Sequence, residues 1–366
     1  MKYMERALEL ARESKGGVSP NPPVGAVVVR DGHVIGEGST QPPDGSRAHA
    51  EVEALAQAGT AAQGATLYVT LEPCCHQGYT PPCTRALLQA GIAEVHIAIQ
   101  DPNPQVDGKG AAELRSAGIR VFQGEAAVGA REVMEGYLKW ITTGMPFVSA
   151  KYAMSLDGKI ATASGESQWI TGPYSRARVH RIRGEADAIL VGVGTALADN
   201  PRLTVRDQKD MPLKRQPLRV VVDSQGRLSP DANIFKPPGG LCIVAMANPS
   251  KDHVKDLHRA GAEVIIHPSP DGRIDLSALL KDLGERQIAN LLVEGGAEIL
   301  ASLLEYGLVD KIIAFIAPIF IGGRTALSPV GGRGVHKLMD AIHLERVTVE
   351  QTGEDTIVSG YTMSKV

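Results

Sequence analysis

A histidine, a glutamate and three crowded cysteines are the residues best equipped for chemistry in this chain. His49-Ala50-Glu51 opens a segment of helical composition, and Glu72-Pro73-Cys74 follows an apolar run, with Cys83 further on. One imidazole and two thiolates suit Zn²⁺ and leave the fourth tetrahedral position for water. Water held there ionises near a pKa of about 7, which makes a nucleophile available at neutral pH. Glu51 lies two residues from the histidine, close enough to carry protons without occupying the metal.

A histidine, a glutamate two residues later and a distant Pro-Cys form the signature of zinc nucleobase deaminases, in which the glutamate is the general acid/base. The spacing departs from the common version. Two residues usually separate the cysteines, whereas residues 75–82 intervene here. Cys75 or His76 could therefore take a ligand position in place of Cys74, although a proline that sets the strand end favours Cys74. A purely structural zinc site stands as the other reading, but such sites fill four protein ligands. Cys242, inside the apolar run LCIVA, reads as core.

A second candidate lies further along. Gly192-Val193-Gly194 follows an apolar run, but Leu197 stands where a dinucleotide-binding fingerprint needs its third glycine. Glu294-Gly295-Gly296 is better placed, between a strand-like stretch at 290–293 and a helix-like one at 297–304. Such a turn exposes backbone N–H groups that can hold a phosphate. A tight strand-to-helix connection explains the same residues.

The elements that must position these groups alternate along the chain. Residues 24–29 and 33–38 read as a hairpin about Asp31-Gly32. Helical patterns follow at 48–58, 84–90, 110–117 and 127–142, interleaved with strands at 65–71, 95–99 and 119–121. Thr142-Thr143-Gly144-Met145-Pro146 is the boundary candidate, which gives domains of 1–145 and 146–366. Strands recur at 147–153, 188–193, 219–223, 241–245, 263–266, 290–293 and 311–317. The pattern is α/β in both halves.

Composition narrows the class. At 366 residues the chain has room for two domains, and 43% hydrophobic residues against 22% charged excludes wholesale disorder. A net charge of −3 offers no basic field for nucleic acid, and 5 Phe, 8 Tyr and 2 Trp make a poor stacking platform. That counts against a tRNA-editing deaminase fused to an unrelated domain. The start, MKYMERALELARESKGG, lacks a secretory pattern, and residues 312–321 are half a membrane span broken by Pro318. The cytoplasm is the expected compartment, and clustered cysteines in a reducing compartment read as metal ligands.

Longer segments carry a resemblance. NPPVGAVVV, HAEVEAL, VTLEPCCHQGYTPPC and QDPNPQVDGKG resemble the bifunctional deaminase/reductase family of riboflavin biosynthesis. So do KYAMSLDGKIATASGESQWITG, ADAILVGVGTALADNPRLTVR and LLVEGGAEIL. The resemblance covers nearly the whole chain. It implies an N-terminal cytidine-deaminase-like domain and a C-terminal dihydrofolate-reductase-like domain, with Zn²⁺ and NADPH as cofactors. The implied chemistry is deamination of a pyrimidinone carrying a ribosylamino 5-phosphate, then reduction of its ribosyl group to ribityl.

The same resemblance implies roles for individual residues. His49, Cys74 and Cys83 become the ligands, Glu51 the proton shuttle and Asn21 a pyrimidine contact. Asp101 and Asn103 either line that pocket or do turn work in a Pro-rich loop. No role attaches to Cys75, His76 or Tyr79. The implied cofactor residues are Ala153, Trp169, Thr195, Asp199, Ser224, Gly296, Ala297, Glu298, Ile299, Leu300, Ala301 and Ser302. The implied substrate residues are Ser167, Arg183, Leu203, Arg206 and Glu294, and Lys151 and Asp157 could also face the substrate. Arginine suits a phosphomonoester because its planar fork donates two hydrogen bonds to the dianion. Expected partners are small-molecule ribotides, with no nucleic acid and no membrane. A homo-oligomer is compatible with the sequence, which sets no copy number.

Overall fold

The computed structural model describes residues 2–42, 48–78, 80–207 and 209–363, which fall into two compact units, Met1–Met145 and Pro146–Val366.

In the first unit, α1 (Lys2–Ser14) precedes a hairpin of β1 (Gly25–Arg30) and β2 (His33–Ser39). Asp31 and Gly32 at its tip both have positive φ, 50° and 77°, the geometry that matches strand twist in a two-residue turn. There follow α2 (Ala50–Ala58), β3 (Thr66–Leu71), α3 (Cys83–Gln89), β4 (Glu94–Ile99), α4 (Lys109–Ser116) and β5 (Arg120–Gln123). Among the described residues the strands form a five-stranded sheet in the order β2-β1-β3-β4-β5. β1 is antiparallel to both neighbours, whereas β3, β4 and β5 run parallel.

The helix expected over 127–142 is two helices, α5 (Ala127–Val133) and α6 (Glu135–Thr143), which meet at Met134 with φ −106° and ψ 15°. The break lets Met134 and Tyr137 both reach the core, at 1% and 7% exposed.

In the second unit the elements are β6 (Phe147–Ser155), α7 (Pro173–Glu185), β7 (Ala188–Gly192), α8 (Val193–Asp199), β8 (Leu218–Val222) and β9 (Cys242–Met246). They continue with α9 (Lys251–Arg259), β10 (Ala262–Ile266), α10 (Leu276–Glu285), β11 (Asn290–Val293), α11 (Ala297–Glu305) and β12 (Lys311–Ala317). A closing hairpin joins β13 (Leu344–Thr352) to β14 (Asp355–Thr362). The described strands order as β10-β9-β8-β7-β11-β6-β12-β14-β13. Seven of them, from β10 to β12, are parallel, and the hairpin adds antiparallel. The buried parallel strands are short apolar runs, as two-sided burial demands. The hairpin gives no such signal because β13, at the sheet edge, is exposed along nearly its whole length. Cys242 is a core residue, 3% exposed. No helix among the described residues is long and apolar enough to cross a membrane.

The first unit depends on close contact between a helix and a strand backbone. A Cβ on Gly25 would stand 1.9 Å from the Ala7 carbonyl oxygen of α1, and backbone has no flexible end to yield. Gly25→Ala should therefore destabilise this unit by about 1–3 kcal/mol or more, read from urea unfolding. A change under about 0.5 kcal/mol would contradict the direct helix-on-strand contact.

Candidate active sites

The first site forms where one strand ends and two helices begin. Cys74 follows β3, His49 caps α2, and Cys83 is the first residue of α3. His49 Nδ1 lies 3.2 Å from Cys83 Sγ and 3.5 Å from Cys74 Sγ. Zinc bonds of about 2.1 Å to nitrogen and 2.3 Å to sulfur, at tetrahedral angles, put ligand atoms about 3.6 Å apart. The three donors therefore fit Zn²⁺, with Nδ1 as the ligating nitrogen. Nε2 lies 3.4 Å from the Thr80 hydroxyl, a partner that holds the ring and its tautomer. The Cys75 Sγ turns instead toward the Gln105 carbonyl at 3.8 Å. Neither Cys75 nor His76 joins the cluster of His49, Cys74 and Cys83. Tyr79 lies outside the described residues.

The electrostatics fit ligation. Cys74 is pushed down to about 4, chiefly by a hydrogen bond from Cys83, with burial opposing and His49 assisting. Cys83 moves the other way, because the same bond and burial keep its proton on. Its backbone N–H adds a 3.3 Å bond to Cys74 Sγ. Glu51, in the first turn of α2, is 4% exposed, and burial first and Cys74 second push its carboxyl up. A buried carboxyl whose pKa is raised is a stronger base than a free one, which suits a group that accepts and returns a proton.

Asp101 and Asn103 sit in the loop between β4 and α4. Asp101 is 5% exposed and accepts hydrogen bonds from the Tyr137 hydroxyl at 2.9 Å and the Asn103 N–H at 2.9 Å. Burial raises its carboxyl, and Cys74 is near enough to add to the rise. The Asn103 and Gln105 N–H bonds within the loop are also the turn chemistry expected of such residues. Asn21 is exposed, with its N–H on the Val18 carbonyl.

The second site lies at the carboxyl ends of neighbouring parallel strands, where open α/β sheets bind ligands. Ala153 is near the end of β6, Thr195 follows β7, Ser224 follows β8, and Glu294 with Gly296 follows β11. The glycine turns touch: Gly192 N–H donates to the Gly295 carbonyl at 3.0 Å. A Cβ on Gly296 would come 3.0 Å from the Thr195 hydroxyl, so the two turns pack closely here. Gly296 is the N-cap of α11, and the first backbone N–H groups of a helix are the kind that suit a phosphate. Ile299, Leu300 and Ala301 are buried at 8%, 1% and 3% exposed, so only Gly296, Ala297 and Glu298 open α11 to a ligand, and Ser302 is half-buried a turn beyond. Leu203 is likewise core, 5% exposed with φ 52°, and offers a ligand its backbone alone. Trp169 is 70% exposed with the Arg176 guanidinium over its ring at 5.0 Å. Ser167 donates to exposed Asp199 at 3.2 Å.

Glu294 is the hub of the polar residues here. Arg183 grips its carboxylate with two bonds of 2.5 and 2.9 Å, and Lys151 Nζ lies 3.7 Å away. Sequence separation hid this arrangement, but register explains it: Val293 pairs with Ala150 in the parallel ladder, so the next residues, Glu294 and Lys151, adjoin. Arg183 also donates to the Thr204 carbonyl at 3.3 Å. Three bonds leave part of its five-hydrogen fork for a ligand. Arg206 bonds the Thr204 hydroxyl at 3.1 Å and exposed Asp210 at 2.8 Å. His180, which the sequence reading passed over, keeps a buried Nδ1 without a partner, and burial and Arg183 lower its pKa. Asp157 is spent on Ser155 and on the N–H groups of Ile321 and Gly322.

Burial works to raise the Glu294 carboxyl, but Arg183 and Lys151 overcome it and hold it at about 2 against an ordinary 4.5. A depressed folded pKa stabilises above the unfolded value and is lost as pH falls toward the folded one. Glu294→Gln should be less stable than the parent at pH 7 by about 2–4 kcal/mol. The gap should close as pH falls from about 4.5 to about 2, read from denaturant unfolding across pH. A gap constant with pH would remove the ion pairs as its cause.

Comparison with known proteins gives both units relatives. Residues 1–99 match the cytidine and deoxycytidylate deaminase zinc-binding region, and residues 146–358 match the RibD C-terminal domain. Riboflavin biosynthesis protein RibD of Actinobacillus pleuropneumoniae is 41% identical, over 99% of this chain and 95% of its own. Its Escherichia coli (strain K12) counterpart is 42% identical over 96% of each. A solved structure of Acinetobacter baumannii RibD, form 1, superposes with a TM-score of 0.87 at 37% identity, over 99% of this chain and 98% of that one. A Thermotoga maritima diaminohydroxyphosphoribosylaminopyrimidine deaminase/5-amino-6-(5-phosphoribosylamino)uracil reductase gives 0.86 at 36%, over 99% and 98%. The fold is α/β, a cytidine-deaminase-like domain followed by a dihydrofolate-reductase-like one. With full-length relatives at this identity, the chain belongs to the RibD family of bifunctional deaminase/reductases of riboflavin biosynthesis.

Proposed function

We propose that residues 1–145 deaminate 2,5-diamino-6-(5-phosphoribosylamino)pyrimidin-4-one and that residues 146–366 reduce the ribosyl group of the product to ribityl. The observation that carries the first half is the trio of His49, Cys74 and Cys83 with buried Glu51 beside it. His49, Cys74 and Cys83 hold Zn²⁺, which supplies an acidified water as nucleophile. Glu51 takes a proton from the attacking water and delivers it to the amino group, which leaves as ammonia while the oxygen stays on the ring. Asn21, Asp101 and Asn103 bind the pyrimidine.

In the second half NADPH supplies the hydride for C1 of the opened ribose. Ala153, Trp169, Thr195, Asp199, Ser224 and the start of α11 hold the dinucleotide. Arg183 and Arg206 grip the substrate phosphate, with Lys151, Ser167, Glu294 and the Leu203 backbone completing that pocket. The geometry supports this reading through the surplus of positive charge around Glu294. The enzyme acts in the cytoplasm on small ribotides, where free thiols persist.

Two tests follow. Cys83→Ser and Cys74→Ser should each lose zinc and ammonia release together, by metal analysis and an ammonia assay, while Cys75→Ser keeps both. Loss of zinc from Cys75→Ser alone would reverse the ligand assignment. Glu51→Gln should keep its zinc and lower ammonia release about 10²–10⁴-fold. Given the deaminated ribotide, the same variant should oxidise NADPH at the parent rate. A zinc-replete Glu51→Gln that cannot reduce that ribotide would refute the separation of the two activities.

A further inference from the structure

Glu72 ligates nothing and lies outside the set of residues with assigned chemistry. It follows the last residue of β3 and precedes Pro73 and Cys74. Its side chain is buried, the residue being 3% exposed. A carboxylate buried there needs donors, and it finds three, all backbone. One oxygen accepts the Asp101 N–H at 3.2 Å and the Gly108 N–H at 3.0 Å. The other accepts the Ala111 N–H at 2.9 Å.

Two of those donors belong to the start of α4. Gly108 is its N-cap and Ala111 its third residue. A capping box would satisfy this pair locally, the cap side chain reaching the third N–H and the third side chain reaching back. Glycine and alanine can do neither. One carboxylate from a different strand makes both bonds, with its charge at the positive end of the helix.

The third bond extends the effect beyond helix capping. Asp101 begins the loop that Gly108 ends, so one side chain pins residues 101–108 at both ends. Inside it, Asn103 N–H bonds the Asp101 carboxylate at 2.9 Å and Gln105 N–H bonds the Asn103 side-chain oxygen at 3.0 Å. The helix start also touches the segment leading to the metal ligand: a Cβ on Gly110 would fall 2.1 Å from the Pro73 carbonyl oxygen. The end of β3, the Cys74 ligand segment and the 101–108 loop are therefore fixed together.

We propose that Glu72 is a positioning residue of the deamination site, whose carboxylate sets the 101–108 loop so that Asp101 and Asn103 meet the pyrimidine. The proposal rests on the reading of that loop as part of the substrate pocket. Glu72→Gln tests it, because the amide keeps one acceptor oxygen and turns an NH₂ toward a backbone N–H. In full-length, zinc-replete protein, the KM of the diaminopyrimidinone ribotide in ammonia release should rise about 10–100-fold. The kcat should stay within about threefold of the parent. Zinc content and NADPH-dependent reduction of the deaminated ribotide should not change.

A carboxylate with a purely structural role would lower the folded fraction, and so the apparent kcat, at an unchanged KM. That result overturns the proposal. Asn103→Ala, run alongside, separates the two ways of failing. If it raises KM and Glu72→Gln does not, the positioning role fails alone. If it leaves KM unchanged, the pocket reading fails and takes the proposal with it. Should Glu72→Gln not fold, Glu72→Asp, a carboxylate one methylene short of those donors, is held to the same KM criterion.

Discussion

Backbone N–H groups at helix starts have no partner within the helix, and in a buried place each must meet an acceptor. Both units resolve this demand with the residues that do their chemistry or stand beside them. In the first unit the Cys83 N–H reaches the Cys74 sulfur, and Glu72 takes two N–H groups from the start of α4. In the second, the glycine turns after β7 and β11 bond each other through the Gly192 N–H and the Gly295 carbonyl, beside the Thr195 hydroxyl. Thiolate, carboxylate and dinucleotide phosphate are all anions, and helix starts favour anions. Sites at strand ends and helix starts thus satisfy the backbone and the chemistry together.

That constraint explains what the sequence could disclose. His49, Cys74 and Cys83, which the structure brings together, were legible because a metal site demands rare residue types, and Glu51 was legible through its place two residues from His49. Apolar strands such as 290–293 and 311–317 were legible because burial on two faces leaves no other composition. The hairpin of β13 and β14 was not, because an edge strand in contact with water shows no alternation. Nor was the division of the 127–142 helix, which only the burial of both Met134 and Tyr137 explains. Glu72 was visible as a charged residue at the end of an apolar strand, and that oddity was the available signal. Thr80 carried none.

The second site was harder to read for a different reason. Its candidate ligand contacts are largely backbone, and any small residue in a turn looks alike in sequence. Family resemblance named Leu203, Ile299, Leu300 and Ala301, and the structure shows their side chains in the core. A residue with its side chain in the core can meet a ligand only through its backbone, so side-chain chemistry cannot announce it. The Glu294 partnership was invisible because it joins residues 111 and 143 positions apart through strand register.

The same partnership connects stability with ligand binding. Arg183 and Lys151 surround one carboxylate, with Arg206 on the Arg183 side through Thr204. Charges buried this deeply cost several kcal/mol each in lost hydration, and one carboxylate cannot neutralise two cations. Two basic side chains thus meet one carboxylate at the mouth of the sheet, with burial pressing Lys151 toward its neutral form and Glu294 opposing. An anion bound there would offset that charge, and its binding would relieve the repulsion between like charges. By linkage, whatever binds only the folded form stabilises it in proportion to that affinity. The affinity of such an anion and the resistance to unfolding it would confer are thus two measures of one electrostatic arrangement around Glu294.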